Sequence, residues 1–257
     1  MKLKLNQILA AALVAAAAVP AMARIDTPSN GNGELFLVIW DGVDKVSYTK
    51  DLGITMNAFD GSAPLNFAVS DQYFTGFLGL AAATVPNFSD LKYAVLAGDA
   101  VAIGGKRLFT TLDSTPTPLT NQQLTNTQGF LNNYTNSQSA SANGNHGADV
   151  AINGSSYATA GQADYFLPLG PTLIAGINWG NSNLVGTSAV FRSFSGPGAG
   201  GSQAVQADFA GQWNVTQANG AWTAAYSVAA VPEANGLVMA LAGFGAVGFL
   251  SLRRRQD

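Results

Sequence analysis

The chain contains no cysteine, a single histidine and few charged residues, and each scarcity excludes a class of site. Without cysteine there are no disulfides, thiolate metal ligands or cysteine nucleophiles. A zinc site needs three or four nitrogen or sulfur ligands, which one histidine cannot supply. Charged residues make up only 11% of the chain. Catalysis or metal binding would therefore have to rest on oxygen-bearing side chains.

His146 is the one residue on which a Ser-His-Asp arrangement could be built, and its setting argues against that role. It lies in Asn143-Gly-Asn-His-Gly147, a loop-forming stretch that is poorly suited to fixing a general base. The segments that begin at Gly186 and Gly200 lack the second glycine of a G-x-S-x-G elbow. We therefore predict no catalytic residue, no cofactor and no metal site.

Calcium binding and paired carboxylates stay open as alternatives because both need only oxygen atoms. Asn143, Asn145 and Asp149 alternate in one loop, and Asp41 and Asp44 flank a turn. Neither set has the spacing of an EF-hand, and turn formation is the ordinary role of such residues. Residues 24–231 contain 12 aspartates, so two of them could form a glycosidase pair, but the sequence does not say which would meet.

The four tryptophans are the residues that could stack on sugar rings if they were exposed. They are Trp40, Trp179, Trp213 and Trp222. Three of them lie in apolar or alternating strand patterns, which predicts positions in the core.

The first 23 residues have the three parts of a secretory signal peptide. Lys2 and Lys4 provide a positive start, Ile8 to Val19 is an apolar run of 12 residues, and Ala21-Met22-Ala23 is an A-x-A cleavage site. So short a run does not span a bilayer comfortably, which favours cleavage over anchoring. We expect cleavage after Ala23, so that the mature chain begins at Arg24 and is exported.

A second apolar run extends from Leu237 to Leu252 and carries no charge. As a helix it is about 24 Å long, and residues 234–236 bring it close to the roughly 30 Å hydrocarbon core of a bilayer. Arg253, Arg254 and Arg255 follow, as the basic flank that holds a membrane helix on its cytoplasmic side. We therefore predict a transmembrane helix over residues 237–252 rather than a buried core helix.

Val231, Pro232 and Glu233 precede this run, and the order Pro-Glu, apolar helix, arginine cluster resembles the PEP-CTERM sorting tail. The resemblance implies export in a Gram-negative bacterium of the kind that makes exopolysaccharide. It also implies transient anchoring in the inner membrane and processing by an exosortase-type membrane enzyme. Ala234 stands where the family usually has a second proline. The likeness covers residues 231–257, about a tenth of the chain, and implies sorting rather than biochemistry.

Residues 24–230 are predicted to form one exported, β-rich domain. Gly, Asn, Ser and Thr are abundant there while Lys and Glu are scarce, a composition typical of strands and turns. Glu34 to Trp40 is a largely apolar run that Asp41-Gly42 ends, which predicts a strand buried on both faces, with Lys45 to Thr49 pairing beside it. Further strands are predicted over 65–69, 91–97, 100–103, 106–112, 148–152, 163–167, 173–178 and 188–194.

Two local patterns are more specific. Thr120 to Thr135 is predicted to be a helix, because Thr120 and Gln123 fit a capping box and Leu124, Leu131 and Tyr134 share one face. Asn219-Gly220 predicts a type I′ hairpin turn that brings Trp213 beside Tyr226 on an apolar face. Tyr73, Phe77 and Leu80 also lie at helical spacing, yet the fold we expect is a single antiparallel β-sandwich or jelly-roll-like domain with one short helix.

Together these observations predict an exported surface or extracellular-matrix protein with a non-enzymatic, structural or adhesive role, in which exopolysaccharide is one expected contact. Residues 24–231 hold 7 Lys and Arg against 13 Asp and Glu, and this net charge of −6 argues against nucleic acid and anionic membrane surfaces as partners. One alternative is a carbohydrate- or calcium-binding module, which would present aromatic side chains on an exposed face. Another is a secreted aspartate-dependent hydrolase, which needs a cleft with two carboxyl groups about 5 to 9 Å apart.

Overall fold

The structure of the protein is a computed structural model. It describes residues 25–84, 88–100, 105–115, 119–139, 154–162, 164–166, 178–180, 183–196 and 198–228. The chain divides into two compact units, residues 1–227 and residues 228–257. The described helices and strands belong to the first unit, except that Val228, the last residue of the final strand, is assigned to the second. The described residues are mainly β, as predicted.

Nine of the eleven strands form one antiparallel, curled sheet in the order β3-β11-β10-β9-β5-β4-β1-β2-β7, and β6 pairs with β8 separately. The strands are β1 (Glu34–Asp41), β2 (Val46–Thr55), β3 (Leu65–Ala68), β4 (Lys92–Asp99), β5 (Lys106–Thr110), β6 (Asp113–Thr115), β7 (Ser155–Thr159), β8 (Asn178–Gly180), β9 (Ser188–Gly196), β10 (Val205–Ala218) and β11 (Ala221–Val228). Two α-helices accompany them, α1 (Gln72–Ala81) and α2 (Asn121–Ser139), with a 3-10 turn at Pro28–Asn30.

This architecture corrects our finer prediction of a sandwich or jelly roll with one helix. The nine strands belong to a single sheet rather than to two facing sheets. The sheet curls far enough for the Tyr93 hydroxyl of β4 to lie 2.8 Å from the Trp213 carbonyl oxygen of β10, although β5 and β9 lie between them in the sheet order. A sandwich and a single curled sheet both need strands that alternate apolar and polar residues, so this two-residue alternation alone does not distinguish the two folds.

Strand β1 is buried along its whole length, as its apolar run predicts. It lies inside the sheet, with β2 on one side and β4 on the other, both antiparallel. Phe36, Val38 and Trp40 face α2 and join the core that Leu124, Leu131 and Tyr134 complete. A bulge between Glu34 and Phe36 disturbs the pairing with β2 at the start of the strand.

Helix α2 begins with the predicted capping box. The Thr120 amide donates to Gln123 Oε1 at 2.9 Å, and the Gln123 amide donates to Thr120 Oγ1 at 3.2 Å. Leu124, Leu131 and Tyr134 are all buried on its inner face, as predicted. The helix extends to Ser139, four residues beyond the predicted end, and Gln138 holds this last turn by donating to the Asp164 carbonyl oxygen at 3.0 Å.

Helix α1 is the second helix, at the position of the Tyr73, Phe77 and Leu80 pattern. Asp71 caps it by accepting from the amides of Tyr73 and Phe74, both at 3.0 Å. The other carboxylate oxygen of Asp71 accepts the Tyr48 hydroxyl at 2.5 Å and lies 3.7 Å from Lys50 Nζ. One carboxylate therefore starts the helix and attaches it to β2.

The hairpin of β10 and β11 has the predicted turn. Asn219 and Gly220 both have positive φ, 52° and 80°, as a type I′ turn requires. Burial alternates along both strands, with Trp213 and Val215 buried in β10 and Trp222, Ala224 and Tyr226 buried in β11. The rings of Trp213 and Tyr226 are 5.5 Å apart, which confirms that they share a face.

A bulge interrupts β10 upstream of this hairpin. Its pairing with β9 shifts between Asp208 and Gln212, and Phe209 turns inward to within 4.9 Å of the Phe109 ring. The Tyr226 hydroxyl fixes the bulge by accepting from the Gly211 amide at 2.8 Å. Phe59, Phe109, Phe191, Phe209, Trp213 and Tyr226 form an aromatic cluster here, on the sheet face opposite α2.

The predicted strand over 163–167 is wrong for the part that the structure describes, because residues 164–166 form a turn. The Tyr165 amide donates to the Gln162 carbonyl oxygen at 3.2 Å, and the Phe166 amide donates to Ser47 Oγ at 3.0 Å. The apolar side chain of Phe166 packs under α2, with its ring 5.3 Å from the Tyr134 ring. Its apolar character therefore reflects a core position in a turn, not a strand.

Several predictions lie outside the described residues. They are the cleavage site Ala21, Ala23 and Arg24, the motif Val231, Pro232 and Glu233, the arginines Arg253, Arg254 and Arg255, and the strands over 101–103, 148–152 and 173–177. Neither of the two described helices has the length and apolarity needed to cross a bilayer. The predicted span over 237–252 is not among the described residues.

Replacing Gly211 with alanine should destabilise the fold. A Cβ atom at this position would lie 2.5 Å from Tyr226 Cζ and 2.6 Å from the Ser227 carbonyl oxygen, too close to be accommodated without moving β11. Overpacking of this kind costs about 1–3 kcal/mol. Gly79→Ala in α1 is the matched control, since an added Cβ there would have no neighbour within 4 Å and the helix should gain about 0.5–1 kcal/mol. Urea unfolding followed by tryptophan fluorescence measures both, and equal effects would contradict the packing.

Replacing Asp71 with alanine should cost about 2–4 kcal/mol, because the change removes a helix cap and leaves the buried Tyr48 hydroxyl without its acceptor. Asp71→Asn keeps an oxygen for the two capping amides and should cost less. Thermal unfolding of both variants measures the difference. An alanine variant as stable as the asparagine variant would show that the cap contributes nothing.

Candidate functional site

Three of the four candidate sugar-stacking tryptophans are buried, and the fourth, Trp179, lies in β8, where side-chain burial is outside the described features. Trp40, Trp213 and Trp222 are only 4%, 0% and 5% exposed, which confirms the predicted core positions. Trp40 packs on Phe166 with ring centroids 5.2 Å apart. Stacking on a sugar ring needs an open aromatic face, and these three side chains have none.

Asp41 and Asp44 act as turn-forming residues. Asp41 Oδ1 accepts from the amides of Val43 and Asp44 at 2.7 and 2.9 Å. The Asp44 carboxylate in turn accepts from the amide of Thr84 at 2.9 Å and from its hydroxyl, which ties the segment after α1 to the turn. No group of three or more acidic or histidine side chains able to hold a metal ion occurs among the described residues. His146 and the set Asn143, Asn145 and Asp149 lie outside them.

The glycine-rich segment after β9 supplies acceptors rather than donors. The Asn121 amide donates to the Ser202 carbonyl oxygen at 2.8 Å, and the Gln122 amide donates to the Gly200 carbonyl oxygen at 2.9 Å. Asn121 Nδ2 adds a bond to the Ala199 carbonyl oxygen at 3.1 Å. Because backbone carbonyls already occupy the first amides of α2, this helix N-terminus is not arranged to bind phosphate.

Two buried carboxyl groups at the start of the β1–β2 pair are the chemically unusual feature of the fold. Glu34 is 1% exposed and Asp51 is 8% exposed. Glu34 Oε2 accepts from the Asp26 amide at 2.9 Å, and Asp51 Oδ1 accepts from the Gly53 amide at 2.7 Å. The other oxygen of each group, Glu34 Oε1 and Asp51 Oδ2, is buried without a hydrogen-bond partner among the described residues. We call these two residues the Glu34–Asp51 pair.

Burial and like charge raise the pKa values of both groups. Burial is the main cause of the raised pKa of Asp51, about 7, with a further contribution from the negative charge of Glu34. The Gly53 amide and the Lys50 cation act in the opposite direction on this pKa. The pKa of Glu34 is also raised, again mainly by burial, while its hydrogen bond from Asp26 opposes the shift. The pair therefore holds protons more tightly than ordinary surface carboxyl groups.

Helix α2 covers this side of the sheet without compensating for the charge. Thr49, two residues before Asp51 on β2, makes a short hydrogen bond to the Tyr134 hydroxyl of α2. Since alternate residues of a strand share a face, Asp51 points to the α2 side as well. Residues 121–139 include no charged side chain at all. No cation on the helix can therefore neutralise the pair.

The far end of β1 repeats the pattern more weakly. Asp41 is fully buried, and its Oδ2, both carboxylate oxygens of Asp90 and the Tyr165 hydroxyl are buried without partners among the described residues. Burial is the main cause of the raised pKa of Asp41, and the Asp90 and Asp44 charges add to it. Burial, with the Asp41 charge, also raises the pKa of Tyr165 to about 12. Strand β1 thus begins and ends on a buried acidic group.

Neither end of β1 resembles the cleft of a polysaccharide hydrolase. A general acid and a nucleophile must both reach a sugar chain, whereas Glu34, Asp51 and Asp41 are covered. A cavity of about 80 Å³ opens elsewhere, lined by Ile54, Ala58, Phe59, Asp60, Gly61, Ala63 and Leu65. It is well below the roughly 300 Å³ of small ligand sites and brings one carboxylate, not two. What the buried groups can do is bind and release protons.

The pair was missed from the sequence, although two signals for it were present. Glu34 is the one glutamate between residues 24 and 231, and it directly precedes the apolar run of β1. Asp51 continues the period-two row of Ser47 and Thr49. Neither signal shows that Glu34 and Asp51 both lie beneath an uncharged helix, because that depends on the tertiary fold.

Comparison with known proteins leaves the chain without a relative on which to base a function. No family model matches it, and neither a curated protein nor a solved structure does.

Proposed function

We propose that the protein is an exported surface or extracellular-matrix protein with a structural or adhesive, non-enzymatic role. A signal peptide over residues 1–23 directs export, and a PEP-CTERM-like tail over residues 231–257 sorts the protein. The observation that carries the proposal is the tail itself, in which Pro232 and Glu233 precede an uninterrupted apolar run and three arginines. The protein is anchored transiently in the inner membrane and then reaches the cell surface or the medium.

The position of β11 supports such a tail. β11 ends at Val228, three residues before Val231. It is an interior strand, paired with β10 on one side and antiparallel to β3 on the other, with Tyr226 opposite Leu65. A pull on the tail would therefore act on a strand that has a neighbour on both sides, with β3 paired to it from Thr223 to Tyr226, which suits an anchored or load-bearing domain.

A structural role also fits the way the domain is held together. With no cysteine to form disulfides, its stability rests on packing, and the aromatic cluster and the α2 core supply that packing on the two faces of the sheet. The covered carboxyl groups and buried tryptophans offer no support for the hydrolase or carbohydrate-binding alternatives. The partners we propose are an exosortase-type enzyme and exopolysaccharide, and the acidic domain is not expected to bind nucleic acid.

Intact-mass measurement on membrane and extracellular fractions of an exosortase-bearing host tests the proposal. We expect an extracellular species that starts at Arg24 and lacks everything after the Pro232–Glu233 region. Glu233→Ala should retain the full tail in the membrane, and Ala234→Pro, which restores the usual motif, should raise the processed fraction. Full-length protein confined to the membrane in all three forms would contradict processing and leave an anchored ectodomain.

A further inference from the structure

The Glu34–Asp51 pair lies where three segments of the chain meet. Glu34 holds the lead-in segment, residues 25–33, because its carboxylate accepts the Asp26 amide and its own amide donates to the Asp26 carbonyl oxygen at 3.2 Å. Asp51 is bonded through its backbone to the segment that leads into β7, since its amide donates to the Gly154 carbonyl oxygen at 2.5 Å. The bulge after Glu34 lies between these contacts. Local opening of the chain at the pair would therefore release both segments from the sheet.

We propose that the Glu34–Asp51 pair is a proton-binding latch, which holds the lead-in segment and the start of β7 against the sheet in mild acid and loosens them as the pair ionises. The inference rests on the position of the pair and on its two unpartnered, buried oxygens. It is independent of the proposed export and sorting, so its failure would leave that proposal unaffected.

The charges around the pair favour the protonated state. Asp26 adds a third carboxylate from the lead-in segment, and its charge raises the pKa of both members. Lys50 is the one cation that acts on Asp51 among the described residues, and its Nζ is also within 3.7 Å of Asp71. Gly154 contributes only its backbone, and α2 brings no charge. Full ionisation would place two buried negative charges beside a third.

The direction of the pH effect follows from the raised pKa values. A carboxyl group that binds its proton more tightly in the folded chain than in the unfolded chain stabilises the fold while it is protonated. The stabilisation is complete below the ordinary pKa of an aspartate, 3.8, and is lost as pH rises towards the value of about 7 for Asp51. The domain should therefore be most stable in mild acid and weaker at neutral and alkaline pH.

The experiment measures unfolding of the full chain by urea across about pH 4 to 8, with tryptophan fluorescence as the signal. The folding equilibrium constant of the unaltered protein should fall by roughly 10²- to 10³-fold over this range because of Asp51. Asp51→Asn, which mimics the neutral carboxyl group, should flatten the pH dependence and be more stable than the unaltered protein at about pH 8. A merely structural role for Asp51 predicts instead that the variant is weaker at every pH.

Two further variants make the test selective. Glu34→Gln removes the neighbouring charge, so the pKa of Asp51 should fall and the loss of stability should end at a lower pH. Asp60→Asn is the matched control, because Asp60 is exposed and its pKa is lowered by the Ser62 amide and hydroxyl. It should keep the pH dependence of the unaltered protein between about pH 5 and 8.

Hydrogen exchange locates the loosened segments. The amides of Glu34 and Asp51 should lose more protection as pH rises, after correction for intrinsic exchange, than the Gly186 amide, which is bonded to the Val215 carbonyl oxygen at 2.7 Å. Equal loss of protection at all three amides would overturn the latch in favour of global unfolding alone. A gain in stability on adding calcium at about pH 8, absent in Asp51→Asn, would overturn it in favour of a cation site.

Discussion

The fold depends on the burial of one strand on both of its faces. All eight residues of β1 are buried between β2 and β4, so every group on this strand must find its partner inside the protein. The apolar residues do so by packing, on one face against α2, but Glu34 and Asp41, at the two ends, carry their carboxyl groups into the same interior. Proton binding is the least costly way to keep such groups buried, and the raised pKa values of both express that cost.

On the face opposite α2, the curl of the sheet brings polar side chains and backbone atoms close enough to pair. Phe209 enters the aromatic cluster because a bulge turns β10 inward, and the hydroxyl groups of Tyr226 and Tyr93 bind backbone atoms that the curl brings close. Each of these two hydroxyl groups thus has a partner that also fixes the shape of the sheet. A domain without disulfides gains its order from contacts of this kind, which suits the exported role that we propose.

Local patterns predicted what depends on neighbours along the chain. The Thr120–Gln123 capping box, the Asn219-Gly220 turn and the buried run of β1 were all confirmed, because each is specified within a few residues. The single curled sheet and the bulge at Phe209 were not predicted, since both depend on which distant strands pair. The Glu34–Asp51 pair was missed for the same reason: only the tertiary fold brings an uncharged helix over it. The sorting signals remain predictions from sequence.

The central claim, that Glu34 of β1 and Asp51 of β2 are buried and bind protons more tightly than ordinary carboxyl groups, is tested most directly by titrating their carboxyl carbons by NMR. The account predicts a midpoint of about 7 for Asp51 and a Glu34 midpoint above its ordinary value of 4.5. Midpoints at the ordinary values for both residues would mean that water reaches this end of the strand, and the account of a fully buried β1 would be wrong.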